Sequence, residues 1–254
     1  MATPRLLVRR PSPRLQDGEL THLERQSVDA GAALAGWTAY VEAFETRGWE
    51  VHQVDPADEH PDGVFVEDTV VVFGDVAVLT SPGAATRRGE VSTMEAALRD
   101  LGVTVHRIEQ PGTLEGGDVL KVGTTVYVGR SDRTDMDGIA QVARIVEPLG
   151  YRVVVVPVTK VLHLKSALTA LPDGTVIGYE PLVDDPTLFP DFLAVPEETG
   201  CAVVVLDDTT VLLSENAPRT AELLRDRGLT VVTAPVGEFE KLEGCVTCLS
   251  VRVR

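Results

Sequence analysis

Along the chain, a stretch with helical spacing of apolar residues, a glycine and then a valine-rich or alternating run recur together. Residues 44–54 follow this theme around Gly48, 98–108 around Gly102, 146–156 around Gly150, 196–206 around Gly200 and 224–234 around Gly228. A glycine at that place suits the left-handed residue that ends a helix, with a strand beginning at once. Paired apolar runs split by turn residues predict hairpins. They cover 64–80 (turning at Gly74-Asp75), 118–129 (Gly123-Thr124), 168–179 (Pro172-Asp173-Gly174) and 203–214 (Asp207-Asp208). Between hairpin and glycine, residues 90–101 place Val91, Met94, Ala97, Leu98 and Leu101 on one stripe of a helix, and 28–47, 136–149 and 217–227 are similar. The opening run 5–8 has no upstream partner and is expected to pair with the closing run 246–253.

Five ββαβ-like units follow from this pattern. The glycines are 54, 48, 50 and 28 residues apart, so one connection is compressed. Such units can close radially into a ring with a polar central channel, which leaves only short, protected strand edges. The competing arrangement is an open α/β sheet. No linker or low-complexity tract divides the chain, so residues 1–254 are expected to form one domain.

Composition narrows the partners. Lys and Arg total 23 against 39 Asp and Glu, a net charge of −16, which disfavours nucleic acid and anionic membranes and mildly favours a cationic small molecule. Only Cys201, Cys245 and Cys248 carry thiols, and the first ten residues lack an apolar leader core, so a reducing, cytoplasmic setting is expected. No Gly-rich phosphate-binding fingerprint is present.

Four clusters could do chemistry. Pro61-Asp62-Gly63-Val64-Phe65-Val66-Glu67-Asp68-Thr69 brings three carboxylates close together, the acceptors a planar guanidinium needs, yet a solvated loop would read the same. Leu114-Glu115-Gly116-Gly117-Asp118 allows close backbone approach, or is an ordinary turn. His163 in Leu162-His163-Leu164-Lys165-Ser166 is either a satisfied core histidine or a general acid and base that needs a carboxylate to orient it. Leu242-Glu243-Gly244-Cys245-Val246-Thr247-Cys248 contains a Cys-x-x-Cys that reads as half a zinc site, a redox pair, core cysteines or a nucleophile.

In combination and in this order, Phe65-Val66-Glu67-Asp68-Thr69, Glu115-Gly116-Gly117-Asp118, Leu162-His163-Leu164-Lys165 and Leu242-Glu243-Gly244 with Thr247-Cys248 resemble the dimethylarginine dimethylaminohydrolases of the guanidine-modifying, or pentein, superfamily. The resemblance runs over essentially the whole chain and implies an α/β fold, a five-bladed ββαβ propeller, in agreement with the repeat count. It implies Cys248 as nucleophile, His163 as general acid and base, and Glu115 as its orienter. It implies that Glu67 and Asp68 hold the guanidinium, and that Asp62, Arg87, Arg133 and the backbones of Leu20 and Leu242 hold the rest of the substrate. Arg88 competes with Arg87 for its place, and the loop around Leu20 matches the family poorly. Cys245 departs from the family pattern and is a neighbour that can oxidise with Cys248.

The implied reaction converts asymmetric dimethylarginine or monomethylarginine to citrulline plus dimethylamine or methylamine through a covalent thiouronium. It needs no cofactor, although zinc at Cys248 would inhibit. The expected partner is a small guanidino substrate, with the protein a monomer or homodimer. Residues 16–25 are expected to cover the site. The rivals are an arginine deiminase-like or other guanidine-acting enzyme, and an inactive propeller that binds arginine-like ligands.

Overall fold

The computed structural model describes residues 3–254, which form five separate three-stranded sheets in place of one open sheet. Strands and helices are numbered in chain order. Blade 1 holds β1 (Arg5–Val8), β2 (Glu50–Gln53) and β15 (Val251–Val253), and α1 (Ala30–Glu45) connects β1 to β2. Blade 2 holds β3 (Val70–Phe73), β4 (Val76–Leu79) and β5 (Thr104–Arg107), with α2 (Val91–Asp100). Blade 3 holds β6 (Val119–Val122), β7 (Thr125–Arg130) and β8 (Arg152–Pro157), with α3 (Met136–Val146). Blade 4 holds β9 (Leu168–Ala170), β10 (Val176–Gly178) and β11 (Phe192–Ala194). Blade 5 holds β12 (Val203–Asp207), β13 (Thr210–Ser214) and β14 (Thr230–Ala234), with α5 (Pro218–Asp226). Two single turns, α4 (Leu164–Ala167) and α6 (Gly237–Glu240), lie between blades.

Every blade repeats one pattern. An inner strand runs antiparallel to the middle strand, and the outer strand runs parallel to it. Hairpin turns suffice for the antiparallel pair in blades 2 to 5, whereas the parallel pair needs a crossover, which a helix supplies in every blade but the fourth. Blade 1 is assembled from both ends of the chain, with Leu6 opposite Arg252 and Leu7 opposite Val251, as the unpaired first run implied.

Strand alternation turns these sheets into a ring. Val70 and Val72 face blade 1, packing with Leu7, Val251 and Val253, while Val71 and Phe73 face blade 3, packing with Val119, Val126 and Val128. Leu120 and Tyr127 turn the other way, onto Leu168 and Val176 of blade 4. Ile177 of blade 4, Val203 and Val211 of blade 5 and Leu6 of blade 1 then share one cluster, which closes the circle. Strands buried on both faces must be apolar at successive positions, which explains the valine runs. The inner strands of all five blades line an axial channel of about 260 Å³. The fold is therefore the expected five-bladed α/β propeller.

The structure corrects the sequence reading in four places. Gly48, Gly102, Gly150 and Gly228 have left-handed φ values of 78, 71, 91 and 87°, as a helix-ending glycine should. Gly200 does not belong to that series. It lies in the 3-10 turn Glu198–Cys201 before β12, where an added Cβ would sit 2.1 Å from Thr220 Oγ1. The outer strand of blade 4 is instead β11, reached through the short turns Glu180–Leu182 and Pro186–Leu188 in place of a helix. Gly200 therefore lies beyond β11, just ahead of blade 5, and counting it as a helix-ending glycine is what made the next spacing look compressed. Residues 66–69 form a 3-10 turn before β3 and not a strand, the hairpin of blade 5 turns at Asp208-Thr209, and Cys248 lies in a turn ahead of the short β15. No helix among the described residues is long and apolar enough to cross a membrane.

Candidate active site

Each of the four sequence clusters occupies the same position in a different blade: the short segment just before the inner strand. Val66–Thr69 precedes β3, Gly116–Asp118 precedes β6, His163 and α4 precede β9, and the Cys245–Cys248 turn precedes β15. Ring closure brings these segments to one mouth of the channel. Asp62, Asp68, Arg87, Arg133, His163, Leu242 and Cys248 line one small enclosed pocket of about 20 Å³ there, together with Glu19 and Glu243. The equivalent segment of blade 5, Glu198–Cys201, contributes nothing to that pocket.

His163 is buried, and its Nε2 lies 2.7 Å from a Glu115 oxygen while Nδ1 lies 3.8 Å from Asp68. Burial by itself would lower its pKa, but the charge of Asp68, the Glu115 hydrogen bond and the charge of Asp118 push it up to about 9. Burial opposes the charge of Glu115 and Asp68 too, yet the His163 bond and charge hold Glu115 below the usual range, and His163 with Arg87 hold Asp68 there. The site is thus built as a protonated imidazole between two carboxylates. Its tightness depends on the paired glycines: a Cβ on Gly117 would sit 2.6 Å from His163 Nδ1, and one on Gly116 would meet the Glu67 carbonyl oxygen at 1.9 Å.

Cys248 is buried, with its sulfur 3.4 Å from that of Cys245. The hydrogen bond with Cys245, burial and the charges of Glu67 and Asp68 raise its pKa well above that of a free thiol.

The arginines separate clearly. Arg87 is buried and bonds Asp68 at 2.6 Å, Glu90 at 2.9 and 3.1 Å, and the carbonyls of Asp62 and Phe65 at 3.2 Å. Arg88 turns away to the Pro82 carbonyl at 3.1 Å. Arg133 spans the pocket rim between Glu19 at 3.2 Å and Glu115 at 3.7 Å. Asp62 accepts the Glu19 amide at 3.1 Å, and burial raises its pKa.

Two expected residues sit elsewhere. The Glu67 side chain faces the axial channel, bonding Lys165 at 2.6 Å and Arg252 at 2.9 Å, so it is not a wall of the cysteine pocket. Its main chain does touch the nucleophile's turn, with its amide donating to the Cys248 carbonyl at 3.2 Å. The reason is the 3-10 turn, which sends adjacent Glu67 and Asp68 to different sides. Leu20 packs beside the large core cluster of blades 1, 4 and 5 and does not line the pocket, whereas its neighbour Glu19 does.

Supporting residues were missing from the sequence reading. Asp118 is buried and accepts the Leu164 amide at 2.9 Å and the Ser131 hydroxyl at 2.6 Å, tying the His163 turn to blade 3. Its place in Glu-Gly-Gly-Asp was the available signal. Thr134 Oγ1 accepts the Glu115 amide at 3.1 Å. Glu90 follows Arg87 by three residues, a helical pairing visible in sequence. Glu243 stood in the Leu242-Glu243-Gly244 motif, but nothing there indicated its role: it has a left-handed φ of 59°, and its carboxylate accepts the amides of Thr21, His22 and Leu23 at 2.8, 2.5 and 3.0 Å. It fastens residues 21–23, which follow the pocket residue Glu19. Among the described residues, Asp68, Glu115 and His163 offer ligand atoms within 4.8 Å of one another that could hold a metal ion, a group that does not include Cys248.

The chain's relatives share this architecture. A family model for eukaryotic N,N dimethylarginine dimethylhydrolase matches residues 19–177. An N(G),N(G)-dimethylarginine dimethylaminohydrolase of Streptomyces coelicolor is 60% identical over all of this chain and 98% of its own length. That of Pseudomonas aeruginosa is 36% identical over 97% of this chain and 98% of its own. A solved structure of the Pseudomonas enzyme, a cysteine-to-serine mutant complexed with citrulline, superposes with a TM-score of 0.92 at 33% identity, covering 99% of this chain and 100% of that one. The N-terminal domain of ArgZ, a cyanobacterial arginine dihydrolase, shares the fold with a TM-score of 0.85 at 22% identity, covering 100% of this chain and 98% of that one. A match that spans more than half the chain and a 60% identical relative that spans it end to end agree with a pocket lined by three of the clusters and backed by the fourth through the Glu115–His163 bond: the chain belongs to the dimethylarginine dimethylaminohydrolase family.

Proposed function

We propose that the protein hydrolyses Nω-methylated arginines to citrulline and dimethylamine or methylamine, with Cys248 as nucleophile. The observation that carries this reading is the closed pocket in which Cys248 shares walls with Asp68 and with a His163 held 2.7 Å from Glu115. Two carboxylates that share an imidazolium, the one cation here that can give up its proton, suit a guanidinium, which can take over that charge.

The chemistry follows from charge. A guanidinium carbon is resonance-stabilised and resists water, so a stronger nucleophile is needed. The arriving cation faces Asp68 and Glu115 and lowers the pKa of both Cys248 and His163. Cys248 gives its proton to solvent water, and the thiolate attacks the guanidinium carbon to give a tetrahedral adduct. His163 donates its proton to the departing amine, and the carbon–nitrogen bond breaks, leaving a thiouronium on Cys248. His163, now neutral, takes a proton from water, which attacks the same carbon and displaces Cys248 to release citrulline. Arg133 at the rim suits the substrate carboxylate, while Asp62, Glu19 and the Leu242 backbone suit its amino end. Arg87 positions Asp68, and Glu67 acts through the backbone of the Cys248 turn and through its charge. A pocket of about 20 Å³ has room for little more than a water molecule, so residues 18–25 must lift for substrate to enter.

The test is a citrulline assay with asymmetric dimethylarginine, monomethylarginine and arginine beside Cys248→Ser. Turnover of the methylated substrates, lost in the variant, is expected. Turnover of arginine alone would replace this reading with a deiminase, and no citrulline from any of the three would refute it.

A further inference from the structure

Cys245 and Cys248 are the first and last residues of one turn, closed by the Cys248 amide donating to the Cys245 carbonyl at 3.1 Å. Such a turn keeps its end Cα atoms within about 7 Å, the span a disulfide requires. Both side chains emerge on the same side, with the two sulfurs 3.4 Å apart and the Cys245 amide also directed at the Cys248 sulfur at 3.4 Å. Both thiols are free.

The two sulfurs open onto different spaces. Cys248 faces the catalytic pocket, whereas Cys245 lines a second cavity of about 260 Å³ between blades 4 and 5, walled by Leu23, Val161, Leu162, Leu182 and Val246. That cavity is walled mainly by apolar surface, with Lys160, Glu198, Glu240 and Glu243 also on its lining, and a small neutral molecule is the class of oxidant that its apolar part suits.

We propose that Cys245 is a resolving thiol for Cys248, and that a neutral hydroperoxide converts the pair into a reversible Cys245–Cys248 disulfide. One sulfur attacks the peroxide oxygen; the O–O bond breaks, and that sulfur becomes a sulfenic acid while the remainder leaves as water or an alcohol. The second sulfur then attacks the first, the S–O bond breaks and the hydroxyl leaves as water with the second thiol's proton. Two electrons pass from the two sulfurs to one peroxide, and a dithiol restores both thiols. The disulfide blocks the nucleophile but spares it from further oxidation to sulfinic acid, which thiols do not reverse. The loss of activity rests on Cys248 being the nucleophile of the proposed reaction; the covalent step does not.

The whole protein is treated with hydrogen peroxide, its remaining thiols are alkylated, and intact mass, peptide map and activity are read before and after dithiothreitol. In wild type, the expected product is lighter by two hydrogens, joins Cys245 to Cys248, has lost its activity and regains it with dithiothreitol. Cys201→Ser should behave identically. Cys245→Ser, referred to its own starting activity, should gain two oxygens on Cys248 and lose activity that dithiothreitol does not return. Sulfinic acid on Cys248 in wild type, a Cys245–Cys201 bridge, equal recovery in Cys245→Ser, or thiols left free at a peroxide dose that oxidises a cysteine peptide would each overturn the proposal. A protein that forms the bridge but releases no citrulline would sink the proposed activity and leave this inference standing.

Discussion

His163 illustrates how much one residue depends on groups distant in sequence. Its pKa of about 9, against an ordinary 6.5, arises because Asp68 and Glu115 outweigh burial. Folding therefore favours the imidazolium. That contribution to stability is complete below about pH 6.5 and drains away as pH rises through about 9, whereas the contributions of depressed Asp68 and Glu115 disappear in acid. An NMR titration of the substrate-free enzyme should place His163 near 9, and Asp68→Asn should lower it by about 1 to 3 pH units. A value unchanged by that substitution would remove Asp68 from the account. At Cys248 the hydrogen bond with Cys245, burial and the charges of Glu67 and Asp68 also raise the pKa, which here disfavours the charged form. In a Cys245→Ser background, thiolate absorbance should rise at lower pH, by about one pH unit or more, when an unreactive cationic arginine analogue is bound. Coincident titrations with and without the analogue would contradict substrate-promoted ionisation.

At the scale of elements, the site is a set of short turns and not of helices or strands. Each turn is fixed at its ends by an inner strand and at its side by a buried polar residue, as Asp118 fixes the His163 turn. The turn after α6 ties residues 21–23 to the site through Glu243. Glu243→Ala should speed hydrogen exchange at Thr21, His22 and Leu23 and raise KM by about tenfold, about 1.4 kcal/mol, the scale of one lost charged hydrogen bond. Glu243→Gly should loosen the segment equally but cost about 0.5–1 kcal/mol less stability than the alanine variant, because glycine accepts the left-handed φ of 59°. Unchanged exchange at the three amides would show that residues 18–25 are held by other contacts, such as Arg133 with Thr21.

At the scale of the molecule, closure is what creates the site. Blade 1 joins the two ends of the chain, and the strand that completes it follows the cysteine turn by only a few residues. Leu7, fully buried between blades 1 and 2, should cost about 2–5 kcal/mol when replaced by alanine, read from urea unfolding. A cost below about 1 kcal/mol would mean that the blade 1–blade 2 seam adds little to closure.

The local features of the fold were legible in sequence because they depend on neighbours in the chain. Valine runs, turn pairs such as Gly74-Asp75, and the helix-ending Gly48, Gly102, Gly150 and Gly228 follow from period, turn chemistry and backbone sterics. Gly200 misled because close packing on Thr220 and helix termination select the same residue. The sequence by itself determined the five ββαβ-like units and set Asp68, Glu115, His163 and Cys248 in four different ones, while ring or open sheet was left to the family resemblance and to the tertiary structure. Only the tertiary structure decided which side chains meet. It separated Glu67 from Asp68 and Arg87 from Arg88, recruited Glu19 and Glu243, and set Cys245 against Cys248. The physical reason is that a site made at a common mouth depends on side-chain direction at each turn and on charges brought together by ring closure, and neither is encoded in the spacing of residues along the chain.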